Sequence, residues 1–386
     1  MTVLGEYIEK RDKYSKESFD DMIYARDCDR SAQINEISEL AKLSFGEYVN
    51  TDGWVKDCIY TGMMYKEKNC LVNELRSKTL KYPHIHRLYG AYVNKDLNTY
   101  SDELKNLFRY YADHSFTYMD LMSKTGAIIY GDRYDVEGIM DFFEGFTTTK
   151  THVDKDFNLS RDSYEEMIFN KYAGVNLVVG ELNACNSIGK DSLICVKFLE
   201  NDGTKSVASI MHEHGHYKLH SRINSKYAES LVSLSMDEAH AFISQFYSNP
   251  PIDDKSFSTT KPFKHEKRVF NSPHFYNKHI VVRYKFENIM LNDPTKDPQK
   301  VMSELSHKIL GHDTSIMQDP HHAHDNIGYF PAYSIGHVIA AQLAEHYSRD
   351  RDFKEAGLLR LMSEAQYIKT MSGKSLSTDS FERIWK

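Results

Sequence analysis

Between Ser206 and Arg222 the chain reads SVASIMHEHGHYKLHSR, and four histidines and a glutamate fall within the nine residues from His212 to His220. His212 and His216 are four positions apart. On a helix that spacing puts both on one face, one turn apart, with Cβ atoms about 5–6 Å from each other. Two imidazoles so placed can reach one Zn²⁺ at about 2.0–2.1 Å each. Glu213 lies about 100° around the helix from His212, beside such an ion rather than on it, where it can act as a base toward a water the ion holds. Gly215 sharpens the reading, because glycine inside a helix costs about 1 kcal/mol relative to alanine and implies a close approach there. His214 is expected to face away from the ion. His220, a further turn along, is expected to lie behind the ligands or at the surface.

A catalytic zinc needs a third protein ligand and one open position. The next segment with helical character, YAESLVSLSMDEAHAFISQFY from Tyr227 to Tyr247, offers Asp237, Glu238 and His240. A carboxylate on a second helix, 22 residues after His216, is the gluzincin arrangement, and this spacing favours Glu238 over His240. For Asp237 the alternative to a place at the site is a carboxylate on the helix surface. The metzincin alternative needs a histidine six residues after His216, a position held by Arg222.

These residues need a frame to hold them, and most of the sequence reads as helix, with nine prolines to interrupt it. The pattern predicts one helix over Ser101–Lys124, opened by a Ser cap and striped by Leu104, Leu107, Phe108, Tyr111 and Ser115. Another over Ser334–Ser348 is striped by Ile335, Val338, Ile339, Gln342 and Leu343. Residues 174–182 and 191–199 read as strands, giving a small β ribbon beside the site. Residues 145–163 and 248–268 read as loops, and the tail SGKSLSTDSFERIWK has no strong pattern. The expected organisation is an N-terminal helical lobe over 1–170 and a catalytic region over 171–386 within one continuous structural domain.

The bulk properties exclude several classes of function. A net charge of −7, with 41% hydrophobic and 27% charged residues, argues against a sequence-independent grip on nucleic acid or anionic membrane. No apolar run reaches the length of a membrane span, and the charged N-terminus does not read as a secretory leader. Five cysteines without a C-x-x-C pair suit free thiols in a reducing compartment, so cytoplasm is the expected location.

Residues 317–347, MQDPHHAHDNIGYFPAYSIGHVIAAQLAEHY, resemble the signature region of the M32 family of metal-dependent carboxypeptidases. Gln318, Asp319, His321, Gly328, Tyr329, Phe330, Pro331, Tyr333, Ala340, Ala341 and Gln342 match that pattern in order. HIVVRYKFENIM, residues 279–290, resembles the family's H-I-x-x-R helix with Arg283 in the arginine position, and HEHGH fits its H-E-x-G-H form. The resemblance covers about residues 190–347 and marks a divergent, shortened member. It implies a mainly α, two-lobed gluzincin fold with a central groove and zinc at its floor, held by His212, His216 and Glu238. It implies hydrolysis of the C-terminal residue of peptides with Glu213 as general base, Co²⁺ or Mn²⁺ as possible substitutes for zinc, and a homodimer. It also implies catalytic donors at His321, Tyr329 and Tyr333 and substrate contacts at Gln318 and Asp319.

Three positions depart from the pattern. The family's D-x-R-x-T strand, whose arginine handles the substrate's C-terminus, is Asp191-Ser192-Leu193-Ile194-Cys195 here. Arg283 is the candidate substitute, against the alternative of a structural salt bridge. The family's H-E-S/G-Q has become Asp237-Glu238-Ala239-His240, and the Trp of Q-D-x-H-W is His322. Two other readings stand beside the carboxypeptidase. One is an M3-type oligopeptidase, although its usual histidine three residues after the second ligand is Leu219 here. The other is an inactive, zinc-holding peptide-binding protein.

Overall fold

A computed structural model describes scattered helical positions between residues 6 and 40, then residues 83–113, 116–128, 134–147, 160–171, 175–180, 183–188, 191–199, 203–223, 232–247, 273–317, 327–346, 353–360 and 362–386. The element order is α1 (Pro83–Val93), α2 (Leu97–Asp113), α3 (Tyr118–Thr125), α4 (Val136–Gly145), α5 (Arg161–Lys171), β1 (Asn176–Gly180), β2 (Ala184–Ile188), β3 (Asp191–Lys197), α6 (Gly203–Ile223) and α7 (Leu234–Tyr247). It continues with α8 (Pro273–Asn292), α9 (Pro298–Leu310), α10 (Pro331–Ala344), a 3₁₀ segment (Lys354–Arg360), α11 (Glu364–Ser372) and α12 (Asp379–Trp385). Among the described residues no helix is long and apolar enough to cross a membrane.

The helix expected over 101–124 is two helices. The Asp96 carboxylate accepts from the Thr99 amide at 3.2 Å and the Thr99 hydroxyl at 2.6 Å, so the first begins before Ser101. Ser101 is buried within it. Thr117 then starts a new helix through a reciprocal capping box with Asp120. Capping chemistry outweighs the continuous apolar stripe here. In α10 the expected Ile335, Val338, Ile339, Gln342 and Leu343 are all buried, and so are most residues between them. This helix is enclosed on nearly every side, with Pro331 at its first turn where the missing N–H costs nothing.

The two expected strands form, and a third joins them. The sheet order is β1-β3-β2, with β1 parallel to β3 (Leu177 opposite Ile194) and β2 antiparallel to it (Cys185 opposite Ile194). The polar stretch Ala184–Ile188 carries no alternation that would announce a strand; its partner β3 supplies the pairing.

Two apolar clusters organise the described residues. The larger joins α1–α4 to α7–α12. The smaller gathers Tyr164 of α5, Ile194 and Val196 of β3, and Val207, Ile210 and Met211 of α6. Leu219 and Ile223, at the far end of α6, belong to the larger cluster, so α6 straddles both. The tail that lacked a pattern closes with α12. Its Phe381 packs edge-on to Phe143 at 4.9 Å, and Trp385 donates its indole N–H to the Tyr247 hydroxyl at 3.0 Å. The loop expected over 248–268 lies outside the described residues, as do Gln318, Asp319, His321 and His322.

Candidate metal centre

The close approach implied by Gly215 is made by α7. A Cβ at Gly215 would fall 2.5 Å from Ala241 Cα and 2.8 Å from the His240 carbonyl oxygen. On the other side of α7, a Cβ at Gly336 of α10 would fall 3.1 Å from Glu238 Cβ and from the Ser235 carbonyl oxygen. Two side-chain-free positions therefore let α7 lie clasped between α6 and α10. The start of α7 is fixed as well. Glu364 of α11 accepts from the Ser233 hydroxyl at 2.8 Å, and the Leu234 amide donates to the Gly126 carbonyl at 2.6 Å.

This clasp brings His212, His216 and Glu238 together, with a ligand atom of each within 4.8 Å of the others. His212 Nε2 lies 3.3 Å from His216 Nε2 and 3.2 Å from Glu238 Oε2. Two ligands of a tetrahedral zinc, each about 2.0–2.1 Å from the ion, sit roughly 3.3 Å apart. Glu238 Oε2 is buried and has no hydrogen-bond partner among the described residues. A buried carboxylate oxygen without a donor, next to two imidazole nitrogens, is a donor set that fits zinc.

The other ring nitrogens are occupied, which aims Nε2 inward. His216 Nδ1 is 2.7 Å from Asp237 Oδ1, and His212 Nδ1 is 3.0 Å from Gln245 Oε1. Asp237 is thus not a carboxylate of the helix surface. The first turn of α7 lies against α6, and Asp237 sits behind His216, with His220 Nε2 at 3.3 Å from the same oxygen. Gln245 was not singled out by its sequence; its one signal is that it lies seven residues after Glu238, on the same helix face. His240, the alternative ligand, is committed elsewhere: its Nδ1 contacts the Met236 carbonyl at 2.9 Å and its ring meets Phe353 edge-on at 4.8 Å. His214 stacks on Tyr217 at 5.6 Å.

Protonation follows burial and charge. Burial depresses the His216 imidazole, but the Asp237 carboxylate outweighs this and raises it to about 10. Burial likewise depresses His212, and Glu238 beside it leaves it raised overall. Asp237 is held well below the usual carboxylate range, because His216 and His220 outweigh the cost of burying it. Glu213 is 5% exposed, and burial raises its carboxyl despite the neighbouring imidazoles. A carboxylate with raised proton affinity beside a metal-type donor set has the character of a general base.

Tyr329 and Tyr333 join the same place. Their hydroxyls are 3.0 Å apart, and burial together with the Glu238 charge holds both protonated. Arg283 is 4% exposed and donates from Nε to Glu287 Oε1 at 2.6 Å. Its Nη1 and Nη2 find no hydrogen-bond partner among the described residues, and the guanidinium lies 5.7 Å from the ring centres of Phe286 and Phe330. Glu287 also accepts from the Gly328 amide at 3.0 Å and the Tyr118 hydroxyl at 2.9 Å, so Arg283 neutralises the carboxylate that holds the turn before Tyr329.

An H-E-x-x-H helix clasped to a second helix that presents a glutamate, in mainly helical surroundings, is the arrangement expected from the gluzincin spacing of the sequence. Residues 264–372 match the family model described as carboxypeptidase Taq (M32) metallopeptidase. Thermostable carboxypeptidase 1 of Pyrococcus furiosus is 39% identical over 88 residues, a stretch that covers 21% of this chain and 18% of that protein's length. In three dimensions the chain is similar to the structure of Pyrococcus furiosus carboxypeptidase described as apo-Mg, with a TM-score of 0.74 over 99% of this chain and 97% of the other at 17% identity. An oligoendopeptidase F from Bacillus anthracis is a weaker neighbour, with a TM-score of 0.53 at 12% identity, over 89% of this chain and 78% of that one. The resemblance to M32 carboxypeptidases read from the sequence therefore holds in the family model, in the curated relative and in the fold.

Proposed function

We propose that this protein is a zinc metallocarboxypeptidase that removes the C-terminal residue of peptides. The observation that carries the reading is the convergence of His212, His216 and Glu238, with Glu213 buried alongside and not among the ligands. A zinc ion in that site supplies a Lewis acid and a water acidified toward pH 7. Asp237 and Gln245 hold the two imidazoles in the orientation that presents Nε2. Glu213 accepts the proton released as the water oxygen bonds to the scissile carbonyl carbon. It then passes that proton to the departing amine as the C–N bond breaks. Tyr329 and Tyr333, kept protonated, donate to the oxyanion that develops. His321 is proposed as a further donor, and Gln318 and Asp319 as substrate contacts, on the resemblance of their segment. The same resemblance supports Co²⁺ or Mn²⁺ as substitutes for zinc, and a cytoplasmic homodimer that acts on peptides.

The test is a peptide ladder incubated with the zinc-loaded protein, with products read by mass. Loss of single residues from the C-terminus is the expected result. Glu213→Gln should retain zinc while turnover falls by about 10²–10⁴. A protein that binds zinc and peptides but cleaves none would instead be a binding protein.

One observation favours a neighbouring reading. Leu193 stands on β3 where the family's strand arginine is expected, and Arg283 has Nε engaged with Glu287. A terminal carboxylate needs a cation or several donors to offset its desolvation. Discrimination between free and blocked C-termini is therefore expected to be weaker than the M32 pattern implies. Comparing a peptide with its C-terminally amidated twin decides this: equal rates with cuts inside the chain would make the protein an oligopeptidase.

A further inference from the structure

Tyr276, in the first turn of α8, belongs to none of the motifs above, yet its ring packs on residues beside the candidate centre. Its ring is edge-on to Tyr333 at 5.7 Å and to His337 at 6.1 Å. Tyr333 in turn meets Tyr329 through their hydroxyls. Phe242 lies 6.3 Å from Tyr333, stacks on His337 at 3.8 Å and lies 5.3 Å from the His212 ring, so the ring cluster that Tyr276 joins reaches the candidate ligands. Tyr276 is 43% exposed, whereas Tyr100, Tyr164 and Tyr367 are fully buried in the two cores. A half-exposed tyrosine whose ring packs on residues of a site has apolar surface left for a ligand to cover. The rings packed on it are Tyr333 and the buried His337, which burial keeps neutral by depressing it to about 3. Neither neighbour favours a charged guest.

We propose that Tyr276 is a substrate-contact residue whose open ring receives an apolar or aromatic side chain of the peptide next to the bond to be cut. This rests on the peptidase reading, and the experiment separates the two. With the zinc-loaded protein, Tyr276→Ala should raise KM about tenfold for peptides ending in Phe or Leu, the scale of one aromatic contact. Peptides ending in Ser or Asp should change little, kcat should stay within about twofold, and zinc content should be unchanged. Tyr276→Phe, which keeps the ring, should keep the preference. An equal loss on every peptide, a fall in kcat alone, or loss of zinc would overturn the proposal.

Calorimetric binding of the same peptides to zinc-loaded Glu213→Gln, with and without Tyr276→Ala, gives a readout free of turnover. A selective tenfold weakening there in a protein with no peptidase activity would retain Tyr276 as a contact and remove the peptidase reading. Active protein with no selective change in KM or binding would remove Tyr276 alone.

Discussion

Asp237 and Glu238 are neighbours in sequence with different tasks at the residue scale. Glu238 turns a buried carboxylate oxygen toward the imidazole nitrogens and is the ligand proposed, while Asp237 holds the imidazole of His216 from behind. Glu238→Ala should therefore abolish tight zinc binding, as should His212→Ala and His216→Ala. Asp237→Ala should leave all three ligands and weaken zinc by about 10–100-fold, as losing such an outer hydrogen bond does. His240→Ala should bind zinc normally. Titration against a chelator of known affinity checks all of these, and an empty site in His240→Ala would reverse the assignment of Glu238. The grouping of His212, His216 and Glu213 on neighbouring positions of one helix was legible because helical periodicity alone produces it. Asp237 and Gln245 were not, because their roles depend on which face of α7 meets α6, and nothing local to either residue encodes that.

At the scale of elements, the spacing of α6, α7 and α10 sets the geometry of the centre. Gly215→Ala would force a methyl group against the Ala241 backbone, and backbone cannot rotate away as a side chain can. Overpacking of this kind costs typically about 1–3 kcal/mol, and the upper end is expected here. The displaced helix carries Glu238, so zinc affinity should fall as well. Gly90 in α1 is the control: no described residue lies within 4 Å of a Cβ built there, so Gly90→Ala should be neutral or stabilise by up to about 1 kcal/mol. Chemical denaturation of the two variants would show whether helix spacing or helix propensity governs. Arg283 adds a second element-scale expectation. Arg283→Met leaves Glu287 buried without its cation, at a cost of about 3–5 kcal/mol, measurable in the same way. Gly215 announced the close approach in the sequence, since an interior helical glycine has few other uses. The interruption between α2 and α3 was hidden, because a Thr–Asp capping box reads as ordinary polar surface until the chain is seen to turn there.

At the scale of the whole molecule, the mainly helical class and two of the three described β strands before α6 were legible from composition and pattern. The closing segment was not. Seven residues give too few turns for a period to emerge, yet α12 lodges Phe381 and Trp385 against α4 and α7. Removing residues 378–386 should cost about 3 kcal/mol or more through the lost aromatic packing, seen as a lower thermal midpoint. The straddling position of α6 has a consequence for redesign. Its first half packs with α5 and β3, and its far end packs with the core that clasps α7. The wall next to the centre can therefore be rewritten as an exchangeable module while the ligand frame is left alone. Leu193 of β3 is half-buried rather than enclosed, so an arginine there has a route to solvent. Leu193→Arg should leave zinc affinity unchanged and raise the preference for a free over an amidated C-terminus by about tenfold, the scale of one charge-assisted hydrogen bond. The peptide and its amidated twin, run side by side, would show whether selectivity in this scaffold can be installed one strand at a time.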